Sequence, residues 1–241
     1  MLKIKILTAY PNIFPGSLGH SIIGKSLQEK KWSLEIINLH DFGLGSRKNI
    51  DDDPFGGGPG MIIRPDIIEK AFNSIVQLDH QRTQNIYLTP SGKLLKQQNL
   101  AEFIDFDQLV ILCGRFEGVD QRVIKALNFI EISIGDYILA GGEIAAKVLV
   151  EGCIRLIPGV LGQPESLLEE SFSGGLLEYP HYTRPQLWKD AQNNEHDVPK
   201  VLLSGHHEEI KKWRKNKSIE KTKLIRPDLL KQKKKKQELK R

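Results

Sequence analysis

Between Lys3 and Ile157, short apolar runs alternate with amphipathic stretches, and few folds satisfy that alternation. Lys3–Leu7, Leu34–Asn38, Asn85–Leu88, Leu109–Leu112 and Ile130–Ile134 read as strands. Gly19–Lys31, Pro65–Leu78, Lys96–Phe103, Asp120–Leu127 and Gly142–Ile157 read as helices. In the second of these helices, Ile67, Ile68, Ala71, Phe72, Ile75 and Val76 share one face at helical spacing. In the last, Ile144, Ala145, Val148 and Leu149 are expected to face inward. Leu109–Leu112 contains no polar residue, as a strand covered on both faces requires. Strand, helix and strand at this spacing predict an α/β domain with a mostly parallel sheet.

The pattern stops after Gly162. Leu161–Tyr182 holds Pro164, Gly174, Gly175 and Pro180 among polar residues and reads as a linker or a functional loop. Ser204 is placed to cap a helix over His206–Lys217 that carries Ile210 and Trp213 on one face, and Pro227 opens a short helix at Asp228–Leu230. Charge shifts with the pattern. The 241 residues carry a net +5, but residues 211–241 hold 15 Lys or Arg against three acids, a net +12 that leaves −7 on the rest. A basic end on an acidic body points to a polyanionic partner, most simply nucleic acid. The lysines from 232 onward fit a solvated tail as well as they fit RNA. Trp213 and Arg214 among Lys211–Lys217 suit RNA, although Trp213 also suits packing.

No stretch approaches the roughly 20 apolar residues of a membrane span. The opening MLKIKILTAY alternates lysine with apolar residues, as a strand does and a secretion signal does not. Cys113 and Cys153 have neither metal-ligand spacing nor a disulfide framework around them. Buried thiols in a reducing cytoplasm are the expectation.

Three loops at expected strand ends share a composition: Leu88-Thr89-Pro90-Ser91-Gly92, Cys113-Gly114-Arg115-Phe116-Glu117-Gly118, and Ser133 through Glu143 (SIGDYILAGGE). Open α/β sheets bind ligands beyond the carboxyl ends of their strands. Glycines there let backbone N–H and C=O groups approach a ligand, and Ile134, Ile138 and Leu139 can flank a base. The dinucleotide fingerprint G-x-G-x-x-G and the phosphate loop G-x-x-x-x-G-K-[ST] are both absent. The run Asp51–Met61 (DDDPFGGGPGM) reads as a mobile glycine loop. Its three aspartates fit a solvated acidic turn or oxygen ligands for Mg2+.

These runs, together with Ile157–Gly162 (IPGVLG), Pro180–Pro185 (PHYTRP), Leu202–Gly205 and Trp213-Arg214, resemble the bacterial tRNA (guanine-N1)-methyltransferases of the SPOUT class. The resemblance extends from about Leu7 to Pro227, with the motifs in order and in register. It implies a fold of α/β class with a mostly parallel sheet, a deep trefoil knot and a small helical C-terminal domain. The chain would divide into a knotted catalytic domain (1–161), a flexible linker carrying the base (162–180), and a basic tRNA-binding domain with a lysine tail (181–241). An obligate homodimer with active sites shared between chains is implied as well, in the cytoplasm and without a membrane. The implied reaction is methyl transfer from S-adenosylmethionine to N1 of the guanosine immediately 3′ of the anticodon. Mg2+ dependence is implied, with no protein metal site assigned.

Carried over by position, Gly114 and the run Ile134, Gly135, Asp136, Tyr137, Ile138 and Leu139 resemble the methionine and adenosine contacts. Leu88, Thr89, Pro90, Phe116, Glu117, Ser133, Gly141 and Gly142 resemble the rest of that pocket. Arg155 resembles an arginine facing guanine O6; by spacing alone it would pair with Glu151 four residues earlier. The family's general base is an aspartate before Ser-Phe, and here that position is Glu170, with Glu169 beside it. Arg184, Lys211, Lys212, Arg214 and Lys215 are the expected tRNA contacts. Two further readings share these motifs: a non-catalytic RNA-binding protein with a relic pocket, and a SPOUT enzyme with another RNA target.

Overall fold

The computed structural model describes residues 1–75, 82–162, 169–172 and 174–231. They fall into two compact units, Met1–Gly162 and Gln163–Arg241. The first unit has seven strands: β1 (Leu2–Thr8), β2 (Trp32–Asn38), β3 (Asp51–Asp52), β4 (Ile62–Ile63), β5 (Thr83–Leu94), β6 (Gln108–Cys113) and β7 (Ile130–Ser133). Five of them form one sheet in the order β2-β1-β6-β5-β7. Every pairing in that sheet is parallel. β3 and β4 make a separate antiparallel pair.

Helices α1 (Ser21–Gln28), α2 (Pro65–Asn73), α3 (Gln97–Phe103), α4 (Gln121–Ala126) and α5 (Gly142–Ile154) cover the sheet. All six residues of β6 are buried. Leu109, Ile111 and Cys113 of β6 belong to the core built with α1, α3 and α5. Val110 and Leu112 belong to the core built with α2 and α4. Alternate side chains of a strand point to opposite faces, so a strand between two helical layers must be apolar throughout. This is why 109–112 shows no alternation. Pro65 opens α2, where its fixed φ suits a first turn and its missing N–H costs nothing.

Several sequence expectations shift. Ile144 and Val148 do not face inward; they are 52% and 48% exposed. The face of α5 that packs is Ala145, Ala146, Leu149, Val150, Cys153 and Ile154. Apolar residues on two faces of one helix cannot reveal from spacing which face is covered. α1 starts at Ser21, after a 3-10 turn over Gly16–Gly19. α2 ends at Asn73, and Val76–Leu78 of the expected helix lie outside the described residues. β5 runs well past Leu88. Its pairing with β7 shifts register between Leu88 and Lys93, so residues 89–92 bulge from a continuing strand rather than ending one.

The second unit carries α6 (His207–Ile225) and an antiparallel hairpin, β8 (Leu187–Lys189) with β9 (Glu195–Asp197). The unit is therefore not purely helical among its described residues. The hairpin has no buried face to produce a hydrophobic alternation. Its signal is the turn: the Asp190 carboxylate accepts the N–H groups of Gln192 and Asn194, and Asn193 takes a positive φ. α6 continues past Lys217. Ser204 does not cap it; the Ser204 hydroxyl accepts the N–H of His206 and closes the preceding turn. Residues 227–231 are helical after Pro227, as expected. Leu177 N–H donates to Thr222 Oγ1 (2.8 Å), and Thr222 Oγ1 donates to the Ser218 carbonyl (2.6 Å). These bonds fasten the segment before the hairpin to α6. Pro164 of the expected linker and the lysine run 233–236 lie outside the described residues. No described helix is long and apolar enough to cross a membrane.

Candidate active site

At the carboxyl ends of β6 and β7, beside the bulge in β5, lies a cavity of about 270 Å³. One wall is the bulge of β5, with Leu88, Thr89 and Pro90. Another is the turn after β6, Gly114 to Gly118. The third is the loop after β7, and the first turn of α5 closes the floor. The expected pocket residues Leu88, Thr89, Pro90, Gly114, Phe116, Glu117, Ser133, Ile134, Gly135, Tyr137, Ile138, Leu139, Gly141 and Gly142 all line it. Asp136 does not. Tyr87, Arg115, Gly118, Ile132, Ala140 and Ala145 line it too, although none of them was among the expected pocket contacts.

The glycines are there because backbone meets backbone. Gly142 N–H donates to the Gly114 carbonyl at 2.9 Å, and a Cβ on Gly142 would sit 2.8 Å from the Cys113 Cα. A Cβ on Gly114 would sit 3.0 Å from the Tyr87 ring. Phe116 adopts φ +57°, a left-handed conformation that turns the 114–118 segment sharply. In the β7 loop, Ser133 Oγ accepts from Gly135 N–H and lies 3.1 Å from the Gly135 carbonyl. Tyr137 OH donates to the Ile134 carbonyl at 3.2 Å. The loop is thus held by its own bonds, while Ile138 is 80% and Tyr137 52% exposed.

One buried charge underlies the cavity. Glu143, in the first turn of α5, is 1% exposed. Its Oε1 accepts from Thr8 Oγ1 (2.8 Å) and Arg115 Nε (3.1 Å). Its Oε2 lies 2.9 Å from Arg115 Nη2 without the alignment of a hydrogen bond, so that contact is an ion pair. Arg115 Nη1 donates to the Ala140 carbonyl (3.1 Å), and its guanidinium lies 4.2 Å from the Tyr10 ring centroid. Burial first, and then the Glu143 charge, push the Cys113 thiol well above its usual range. Burial alone pushes Cys153 up to about 12. Both cysteines are free and buried, and neither is an available thiolate.

Arg155 is the C-cap of α5, at the opposite end from the cavity. It lies thirteen positions after Gly142, ~20 Å at 1.5 Å per residue. Glu170 belongs to the second unit and is half-buried. Its neighbour Glu169 accepts from Tyr179 OH at 2.8 Å and lies 3.6 Å from Arg214 Nη1. Arg214 also stacks over the Tyr179 ring at 4.9 Å, so its guanidinium is turned onto its own unit. Lys211, Lys212, Lys215 and Arg184 are exposed. Trp213 packs against Tyr182, with ring centroids 6.2 Å apart. Asp52 of the acidic run pairs with Arg64 at 2.6 Å. Among the described residues no three His, Cys, Asp or Glu side chains gather as a metal site.

The model of the family described as tRNA (Guanine-1)-methyltransferase TrmD matches residues 2–232. A Wolbachia pipientis (strain wPip, from Culex pipiens) protein named tRNA (guanine-N(1)-)-methyltransferase is 49% identical over 230 residues, covering 95% of this chain and 97% of its own. A protein of the same name from Rhodospirillum rubrum is 48% identical, covering 95% and 92%. One from Agrobacterium fabrum is 46% identical, covering 95% of each.

Proposed function

Because the chain belongs to the tRNA (guanine-1)-methyltransferase family and is therefore a methyltransferase, we propose that it methylates N1 of the tRNA guanosine immediately 3′ of the anticodon, with S-adenosylmethionine as donor. The cavity between the bulge of β5 and the ends of β6 and β7 carries this reading. Its lining brings the backbone of the 114–118 turn and of the β7 loop to the cavity, where backbone groups can read the edge of an adenine. Ile134, Ile138 and Leu139 supply apolar flanks for the base faces, so the residues present fit a nucleoside. S-adenosylmethionine supplies a methyl group already activated by its sulfonium. What remains for the chain is to align donor and acceptor and to take a proton.

Glu170 takes the N1 proton as general base. A carboxylate with an ordinary pKa near 4 is weak for this, so the step also needs the negative charge left on guanine to be stabilised. Arg155 donates to guanine O6 and stabilises the negative charge left as the proton departs. Glu169, which accepts from Tyr179, is the neighbouring alternative for the base.

Arg155 and the cavity stand at opposite ends of α5, beyond the span of one side chain. That separation supports active sites shared between two copies. The exposed Ile144 and Val148 on α5, with Ile138 beside the cavity, support an apolar homodimer face. From the family we also infer the deep trefoil knot of the SPOUT class and a cytoplasmic enzyme. Arg184, Lys211, Lys212 and Lys215 contact tRNA phosphates, joined by Arg214. We assign no protein ligands to the Mg2+ that the family implies, since among the described residues no three acidic, histidine or cysteine side chains gather as a metal site.

Methyl transfer to two tRNA transcripts, with G or A after the anticodon, tests the reading. Transfer confined to the G form is expected. Equal transfer to both, or transfer to neither, overturns it.

A further inference from the structure

The buried Glu143 has no place in the chemistry above. It is an ionised-type side chain with almost no exposed surface, and burying a carboxylate is costly unless it is paired and hydrogen-bonded. A residue serving only to fill space at the start of α5 would be apolar. Its partners show what the charge does. Glu143 grips Arg115 from behind, through Nε and Nη2. The third guanidinium nitrogen, Nη1, is thereby aimed across the cavity rim at the Ala140 carbonyl. Arg115 stands on the turn after β6, and Ala140 on the loop after β7. Two separate walls of the cavity are joined by one planar group.

Two other contacts fix that group's orientation. Thr8, at the end of β1, donates to Glu143 Oε1 while accepting the N–H of Tyr10. The Tyr10 ring then lies under the guanidinium. Glu143 is also in the first turn of α5, where the exposed N–H ends of the helix favour a negative charge. The backbone of Gly141 passes so near Arg115 that a side chain there would collide with it.

We infer that Glu143 is a positioning residue for the methyl-donor pocket: it orients Arg115 so that the β6 turn and the β7 loop hold a fixed separation. This rests on reading the cavity as the donor site. A lysine at 115 would keep the charge opposite Glu143, but it has no planar fork with which to reach Ala140 at the same time. Glu143→Gln keeps the shape and an acceptor for Thr8 while removing the charge that sets the fork.

The test is S-adenosylmethionine binding to the full chain by calorimetry, without RNA, followed by steady-state kinetics. Both R115K and E143Q are expected to weaken donor binding by about tenfold, the scale on which lost preorganisation acts. Donor KM should rise likewise, with kcat at saturating donor falling by less than about threefold. Partial unfolding would do the opposite, lowering kcat through the active fraction while leaving KM alone. If E143Q fails to fold, R115K decides the matter, since it keeps the ion pair. Parent-like donor affinity in R115K, or a loss confined to kcat, overturns the inference. If the parent chain itself binds no donor, the reading of the cavity has failed, and the inference falls with it.

Discussion

The two units are built on different physics. In Met1–Gly162 a parallel sheet lies between two layers of helices, and Ile4, Ile6, Leu109 and Ile111 keep no exposed surface. Among the described residues of 169–231, the buried side chains are Ser218 and Thr222, small and polar. The first unit is stabilised by apolar burial and lines its cavity with backbone held by that core. The second relies on individual polar bonds, such as Leu177 to Thr222, and presents most of its cations to solvent. A rigid pocket and a solvated cationic surface suit different partners, a small molecule and a polyanion.

Four experiments would break or sharpen that contrast. The largest effect is expected in the thinly packed unit: Glu170→Gln should lower turnover by about 10²–10⁴-fold while donor affinity stays near the parent's. Turnover at the parent rate would remove Glu170 from the mechanism. Next comes stability. Leu149→Ala on α5 should cost about 2–5 kcal/mol in denaturant unfolding, and Ile210→Ala on α6, half-buried, less than about 1 kcal/mol. Equal losses would mean that the second unit has more of a core than its burial indicates. Replacing Lys211, Lys212 and Lys215 together by Gln should flatten the dependence of tRNA affinity on log salt by about 2, at ~0.7–0.9 per phosphate contact. An unchanged slope would move the tRNA surface elsewhere.

The smallest effect is local. Hydrogen bonds from Asn194 first, then His196, hold the Asp190 carboxyl down at about 2. A depressed carboxylate pKa stabilises the hairpin above the ordinary carboxylate range and loses that contribution as pH falls toward 2. Fluorescence of Trp188, which stacks on His196 at 5.1 Å, should therefore change between about pH 4 and pH 2. In Asp190→Ala that change should vanish. A transition that persists would place the titrating group elsewhere.

Legibility in the sequence followed the same division. The five sheet strands and the helices of the first unit were readable because a two-faced core imposes periodicity on the residues that build it, whereas the two-residue strands β3 and β4 are too short to show one. The pocket loops were readable because glycine is needed where Gly142 meets Cys113 and Gly114. The hairpin at 187–197 was missed because no core marks its faces, although the Asp190 turn was a usable sign. Ile144 and Val148 misled because an apolar residue reads alike whether it meets the protein's own core or another surface.

The amino-acid sequence by itself determined the α/β architecture, the central apolar strand, the glycine-rich loops and the family to which the motifs belong. These are properties of local pattern, and local pattern is what residue order records. Only the tertiary structure decided that the Leu88–Gly92 run is a bulge inside β5, that α5 sets Arg155 and the cavity at opposite ends, and that Thr8, Arg115 and Glu143 meet. Thr8 and Glu143 are 135 positions apart and share a hydrogen bond. No spacing rule connects them, because their contact is made by the sheet order and the helix packed beneath it.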